Sequence, residues 1–133
     1  RACVVRLIKV GYKIGICTNK PEALAQKLMV ELMFRDEFGS LVGADTLTVR
    51  KPDPRPFYEA VRRVSGEPER ACLVGDSVTD HDTARAAGVP SILVDFGLGD
   101  QDLAALKPDV LITHFDQLEG ALESVGLPPF LRC

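Results

Sequence analysis

The 133-residue sequence lacks the apolar run of about 18 residues that a membrane-spanning helix needs. It also lacks an excess of basic residues: 16 lysines and arginines against 19 aspartates and glutamates give a formal net charge of −3. Strong non-specific binding to nucleic acid depends on such an excess. The chain starts at Arg1 without an initiator methionine, a signal peptide or a basic presequence. We therefore expect a protein that binds neither membranes nor nucleic acid.

Cysteine is sparse and is not arranged for metal binding. The four cysteines are Cys3, Cys17, Cys72 and Cys133, and no two of them form a C-x-x-C pair. This spacing excludes a zinc or iron–sulfur site built from cysteines. Cys17 and Cys72 lie inside apolar runs, where a cysteine usually acts as a small buried hydrophobe. We expect reduced thiols and a cytoplasmic location.

The composition is that of an ordinary folded domain. Hydrophobic residues make up 46% of the chain and charged residues 26%, close to the average for globular proteins. A chain of this length can bury roughly two-thirds of its unfolded surface, which is enough for a core without metal or disulfide staples. We expect a core over residues 1–126 and a proline-containing tail over residues 127–133.

The apolar pattern alternates between short strands and helices. A helix should end at Gly11, and another should start at Pro21 and present Leu24, Leu28 and Leu32 on one face. The further helices are predicted at 53–64, 79–87 and 116–125, with a helical turn at 102–106, and the strands at 13–17, 40–42, 71–74, 91–96 and 110–113. This alternation predicts an α/β fold with a mostly parallel sheet, whose ligands bind beyond the carboxyl ends of the strands.

Thr18 and Asn19 follow the first predicted strand and come directly before a helix. A hydroxyl, an amide and the free backbone N–H groups of a helix N-terminus can together bind an anion such as phosphate. Threonine and asparagine are also common as plain helix caps, and this simpler interpretation stays open at this point.

Lys51 lies in the string RKPDP, directly before the next helix. The prolines of this string stiffen the backbone and would hold the lysine in one place. Its ammonium group is a compact charge that suits a phosphoryl oxygen. A solvated loop lysine is the alternative.

Asp76 and Asp80 follow the strand that ends at Gly75. Two carboxylates four residues apart can converge on one Mg²⁺ ion, which prefers oxygen ligands and keeps several waters. Asp80 could instead simply cap its helix. An aspartate at the tip of a buried strand is costly without a partner, which favours the metal site.

Three strings, ICTNKP, RKPDP and GDSVTDHDTARAAG, resemble the second, third and fourth motifs of the haloacid-dehalogenase superfamily, most closely its phosphoglycolate phosphatase group. The resemblance covers the chain from about Val4 to Leu122. It implies a Rossmann-like three-layer sandwich and a phosphatase that acts on a small phosphorylated metabolite. In that family an aspartate attacks phosphorus to form an aspartyl-phosphate, which water then hydrolyses.

Carried over residue by residue, the resemblance assigns five roles. Thr18 would bind phosphoryl oxygens through its hydroxyl, and Asn19 through its backbone N–H. Lys51 would be catalytic, neutralising charge on the nucleophile and on the transferred group. Asp76 would bind Mg²⁺, and Asp80 would support the ion directly or through water.

The family's first motif, Asp-x-Asp-Gly-Thr at the end of an apolar strand, has no match here. No aspartate precedes Thr18, and the Asp-x-Asp strings at 80–82 and 100–102 do not directly follow a buried strand. The helical cap and the central strand of the family are missing too. We therefore expect an incomplete core that is inactive alone, with a gap or exposed edge in its sheet through which copies of the chain could dimerise or aggregate.

Other classes fit the residues less well. A phospho-acceptor receiver domain needs a different order of Asp, Thr and Lys, and the Gly97-Leu98-Gly99 string lacks the third glycine of a dinucleotide site. His81 and His114 stand alone, which predicts solvated or capping side chains. A non-catalytic remnant that binds phosphate or Mg²⁺, or that mediates interactions, remains the alternative function.

Overall fold

The structure is a computed structural model that describes residues 2–33, 35–95 and 102–127. The predictions that concern Phe96, Gly97, Cys133 and most of the proline-containing tail lie outside these ranges.

Helices and strands alternate along the chain. The helices are α1 (Ala2–Lys9), α2 (Glu22–Glu31), α3 (Arg55–Arg63), α4 (Val78–Ala87) and α5 (Leu118–Ser124). The strands are β1 (Gly15–Cys17), β2 (Ser40–Val42), β3 (Leu73–Gly75), β4 (Ser91–Val94) and β5 (Val110–Ile112). Short 3-10 turns cover Arg35–Glu37, Pro68–Arg70, Leu103–Leu106 and Phe115–Gln117. The predicted order of elements is confirmed, and the helical turn predicted at 102–106 is a 3-10 turn.

Local sequence explains where the helices begin and end. Ser77 caps α4 by accepting a hydrogen bond from the Asp80 backbone N–H, and Gly88 ends the helix with a φ of +73°. Gly11 follows α1 with a φ of +107°. Positive φ costs glycine little, which is why the glycine positions located these two ends from the sequence.

The described strands form two parallel sheets instead of one. β1 pairs with β2, and β3, β4 and β5 form a second sheet in that order. Within the described residues no strand joins β1 to β3. This confirms the expected break in a mostly parallel sheet.

Two apolar clusters hold the helices on the sheets. The larger one surrounds β4 and β5 and includes Leu7, Ile92, Val94, Ile112, Leu118 and Leu122. The smaller one joins α3 to α4 through Phe57, Val61, Ala84 and Val89. The apolar face of α3, in the helix predicted at 53–64, is thus buried.

The apolar stripe of α2 is largely exposed. Leu24, Leu28 and Leu32 are 53%, 40% and 59% exposed, and Ala25 is the buried residue of this helix. The 3.6-residue period therefore predicted the helix correctly, but in the described structure its leucine face is not part of the core.

Cys3, Cys17 and Cys72 are free thiols. Among the described helices, none has the length and the apolar character to cross a membrane.

Candidate active site

Thr18 leaves β1 with its backbone fixed by the neighbouring strand. Its N–H donates to the Val42 carbonyl at 2.9 Å, and its hydroxyl oxygen accepts from the Lys20 N–H at 3.2 Å. A hydroxyl that accepts a hydrogen bond still carries its own proton. Thr18 therefore caps its loop and can also donate to an anion.

One backbone N–H at the N-terminus of α2 already has a partner within the protein. The carboxylate of Asp45, in the loop after β2, accepts from the Glu22 N–H at 2.7 Å. Pro21 has no N–H to offer. The fold brings in a negative side chain from 23 residues away, and no local pattern around α2 signals this.

Asn19 connects β1 to the lysine loop through two hydrogen bonds. Its Nδ2 donates to the Lys51 carbonyl at 3.2 Å, and its Oδ1 accepts from the Lys51 N–H at 3.1 Å. The side chain thereby fixes the backbone that carries Lys51. Sequence reasoning considered the amide and the backbone N–H of Asn19 as anion-binding groups and missed this role, because the two residues are 32 positions apart.

Lys51 forms an ion pair with Asp80. Its Nζ lies 2.6 Å from Asp80 Oδ1, and the two side chains are only 10% and 11% exposed. Charges removed from water in this way are stable only when they are paired and hydrogen-bonded. Lys51 is therefore not a solvated loop lysine.

The second carboxylate oxygen of Asp80 is bound within its own turn. Oδ2 accepts from the Asp76 N–H at 3.0 Å and from the Ser77 hydroxyl at 3.0 Å. Both oxygens of Asp80 thus have partners inside the protein. Asp80 holds the turn together as well as pairing with Lys51, and its role as a direct metal ligand stays a prediction.

Gly75 makes this placement of Asp80 possible. A Cβ atom at Gly75 would lie 2.3 Å from the Asp80 Cβ and carboxyl carbon. The strand tip must therefore lack a side chain for the buried carboxylate to reach Lys51.

Asp76 is exposed, whereas Asp80 is buried. The argument that a strand-tip aspartate is costly without a partner thus applies to Asp80 instead of Asp76. Asp76 needs no buried partner, because it is exposed to solvent beside the buried Lys51–Asp80 pair.

Cys17 lies close to the ion pair at the end of β1. Burial raises the pKa of its thiol to about 11, while the nearby Lys51 ammonium lowers that pKa and the Asp80 carboxylate raises it. A thiol with so high a pKa is a poor nucleophile at neutral pH. Cys17 therefore packs beneath the site and supplies no attacking group.

The two histidines differ in role. His114 is exposed and accepts from the Asp116 N–H at 3.0 Å, so the capping prediction is confirmed. His81 is 6% exposed, and its Nδ1 lies 2.8 Å from the Ser91 Oγ. The prediction of a solvated or capping His81 is wrong, because α4 presents this side to β4.

The side chains around Lys51 and Asp80 could hold a metal ion only with few protein ligands. Across the described parts of the chain, no three histidine, cysteine, aspartate or glutamate side chains converge as a metal site would require. Mg²⁺ is commonly held by one or two carboxylates with waters and substrate phosphate completing its shell. The exposed carboxylate of Asp76 fits that donor set.

The structure has parallel strands with connecting helices, and a polar cluster lies at the carboxyl ends of β1 and β3. These features define an α/β protein of the Rossmann-like class. The model of the family described as haloacid dehalogenase-like hydrolase matches residues 2–94. The chain belongs to this family.

Similar proteins agree with this assignment. A phosphoglycolate phosphatase of Mesorhizobium japonicum is 45% identical over 115 residues, which is 86% of this chain and 51% of that protein. The crystal structure of a predicted phosphoglycolate phosphatase from Haemophilus somnus is similar with a TM-score of 0.81 and 27% identity, over 88% of this chain and 52% of that one. CbbY from Rhodobacter sphaeroides, crystallised with phosphate, shares the fold with a TM-score of 0.77 and 22% identity, over 92% of this chain and 56% of that one.

The chain spans about half the length of the curated relatives it matches.

Proposed function

We propose that this chain provides the phosphate-binding and charge-neutralising part of a phosphatase that acts on a small phosphorylated metabolite such as phosphoglycolate. The observation that carries the proposal is the continuous set of contacts from Asn19 through Lys51 to Asp80. These contacts hold a buried ammonium group near the carboxyl ends of β1 and β3, which belong to two different parallel sheets. Phosphoryl transfer depends mainly on positioned groups that stabilise charge, which is what such an arrangement offers.

Each residue of the site would have a different role in binding the phosphate. The Thr18 hydroxyl and the Asn19 backbone N–H would donate to phosphoryl oxygens, and Lys51 would neutralise their charge. Asp80 would keep the ammonium oriented, since its own two oxygens are bound by Lys51 and by the turn at 76–77. Asp45, which occupies the start of α2, would direct the anion away from that helix and towards Lys51.

Asp76 would hold Mg²⁺, with Asp80 as support. When bound, the ion would neutralise charge on the substrate's phosphoryl oxygens. Asp76 suits this role because its carboxylate is exposed and its backbone N–H is already fixed by Asp80.

The nucleophilic aspartate is not among these residues. No acidic residue precedes Thr18, and Asp80, within one of the two Asp-x-Asp strings, is buried in an ion pair. We infer that the 133 residues bind phosphate without turning over phosphate esters through an aspartyl-phosphate.

The substrate and the cellular location are parts of the same proposal. Phosphoglycolate is favoured by the name of the Mesorhizobium relative, and a cytoplasmic location by the free thiols. The alternative function is a non-catalytic phosphate- or Mg²⁺-binding module, which the missing nucleophile favours. An Asp-x-Asp-Gly-Thr string encoded directly upstream of Arg1 would exclude that alternative.

Calorimetric titration with inorganic phosphate in the presence of Mg²⁺ tests the proposed site. We expect saturable binding that Lys51→Met and Thr18→Val each weaken severalfold, because each removes one phosphate-binding group. Lys27→Met is the matched control, because it removes a lysine from α2, outside the site. Equal affinity of the Lys51→Met, Lys27→Met and unmodified proteins would refute the assignment of Lys51.

A further inference from the structure

Lys20 carries a positive charge next to the proposed phosphate site, and the mechanism above does not use it. The residue is exposed and directly follows Thr18 and Asn19. In the ranges that the structure describes, no aspartate or glutamate lies within ion-pair distance of its ammonium group. This charge is therefore available to a ligand.

The backbone of Lys20 is held on both sides. Its N–H donates to the Thr18 hydroxyl oxygen at 3.2 Å, and its carbonyl accepts from the Ala44 N–H at 2.8 Å. A Cβ atom at Gly43 would lie 2.9 Å from the same carbonyl oxygen, so the loop after β2 leaves this segment little room to shift. The flexible part of Lys20 is thus its four-carbon stem, which starts from a fixed point beside the Thr18 hydroxyl.

The charges of the site are suited to one phosphoryl group and leave a second anionic group without a partner. The Lys51 ammonium is balanced by the Asp80 carboxylate at 2.6 Å, and the exposed Asp76 adds a negative charge. A ligand that carries a carboxylate besides its phosphate would be repelled there, since like charges at short distance raise the energy. Binding such a ligand requires a further cation at the edge of the site.

Arg50 is the other exposed cation directly beside the site. Its carbonyl accepts from the Asp53 N–H at 3.0 Å, so it belongs to the turn that carries the Asp53–Arg55 ion pair. Lys20, in contrast, is bonded to the hydroxyl group that would hold the phosphate. Lys20 is therefore the better placed of the two to meet the second anionic group of the same ligand.

We propose that the Lys20 ammonium binds a carboxylate of the substrate while Thr18 and Lys51 hold its phosphoryl group. The substrate class is then the phosphate ester of a short hydroxy acid, because the groups that hold its two ends belong to neighbouring residues. An ammonium group on a flexible stem can meet a carboxylate without a fixed geometry. The inference rests on the proposed function and adds to it a residue that selects the other end of the substrate.

Calorimetric titration of the 133-residue protein with two probes, at one ionic strength and Mg²⁺ concentration, tests the inference. The probes are phosphoglycolate and ethyl phosphate, which are similar in size, and only the first carries a carboxylate. We expect phosphoglycolate to bind about three- to fivefold more tightly, as for one exposed ion pair. Lys20→Met removes the ammonium and should abolish this preference without weakening the binding of ethyl phosphate. Lys20→Arg keeps a positive charge and should keep the preference.

Arg50→Met is the matched control, because it removes an exposed cation on the other side of the contact between Asn19 and Lys51. This variant should keep the preference for phosphoglycolate. Equal binding of the two probes by the unmodified protein would overturn the inference and leave the phosphate site in place. A loss of preference in Arg50→Met as large as in Lys20→Met would also overturn it, since the effect would then be one of overall charge. Binding of neither probe would overturn the proposed phosphate site together with the inference.

Discussion

Asp80 shows how a few residues can link the two sheets. One oxygen meets Lys51 and the other meets the backbone of Asp76. The resemblance to the family implied that Lys51, Asp76 and Asp80 would belong to one site. The spacing did not predict that Asp80 is the buried carboxylate and Asp76 the exposed one, since burial depends on how α4 packs against β3.

A substitution at Gly75 tests whether Asp80 needs the bare strand tip. Gly75→Ala places a Cβ 2.3 Å from the Asp80 carboxyl carbon. We expect it to lower the free energy of unfolding by about 2 kcal/mol, the cost of overpacking a buried site. Chemical denaturation provides the measurement.

Gly120→Ala is the matched control for that experiment. A Cβ at Gly120, in α5, meets no atom within 4 Å. Alanine there should stabilise the protein by roughly 0.5–1 kcal/mol through helix propensity. If Gly75→Ala stabilised the protein like Gly120→Ala, the close approach of Asp80 to the strand tip would be wrong.

The Asn19 side chain gives a second prediction about single residues. Asn19→Ala removes the acceptor of the Lys51 N–H, so this amide should lose its protection from hydrogen exchange. Asn19→Asp keeps an acceptor oxygen and loses only the donor to the Lys51 carbonyl. Protection at Lys51 should therefore survive in Asn19→Asp. Equal protection in all three proteins would show that Asn19 does not hold the lysine loop.

Among the elements, helix and strand positions were largely predictable. Glycines set the ends of α1 and α4, and continuous apolar runs located the strands to within a few residues. The contacts that join elements were less predictable. Asp45 reaches the start of α2, and His81 turns inward to Ser91, because of where the strands place these segments. The exposed leucines of α2 show the same limit, since periodicity reveals a helical face without showing what covers it.

Asp109 joins three elements, and its titration can be measured. Its Oδ2 accepts from the Ser91 N–H at 2.7 Å at the start of β4 and from Arg85 of α4 at 2.9 Å. The hydrogen bond from the Ser91 backbone, followed by that from Arg85, lowers the pKa of Asp109 below its ordinary value of 3.8. The residue directly precedes β5, so these bonds fix that strand beside β4.

The lowered pKa of Asp109 predicts a loss of stability in acid. Because the folded state favours the charged carboxylate, its contribution is complete above pH 3.8 and is lost as the pH falls through the lower folded value. In Asp109→Asn this part of the pH dependence should vanish. Urea unfolding at pH 6 and at pH 3 measures it, with Asp82→Asn on the exposed face of α4 as the control. An identical loss of stability in all three proteins would contradict the assignment.

At the scale of the whole molecule, the fold class and the family could be predicted because three motifs of the family lie in segments that connect strands to helices. The break between the two sheets was expected from the strand missing relative to the family, and the parallel pairs confirm it. Which side of β1 and of β3 is paired depends on the fold, and no sequence pattern states it. The molecule therefore combines a buried Lys51–Asp80 ion pair with a break between its two described sheets.

The central claim is that these residues bind a phosphorylated metabolite without turning it over. Phosphorus NMR of phosphoglycolate with the purified 133-residue protein and Mg²⁺ tests both parts in one measurement. We predict that the ester resonance shifts or broadens on adding the protein, and that no inorganic phosphate resonance grows. Steady release of inorganic phosphate that Asp76→Asn abolishes, or an ester resonance that the protein leaves unchanged, would contradict the account.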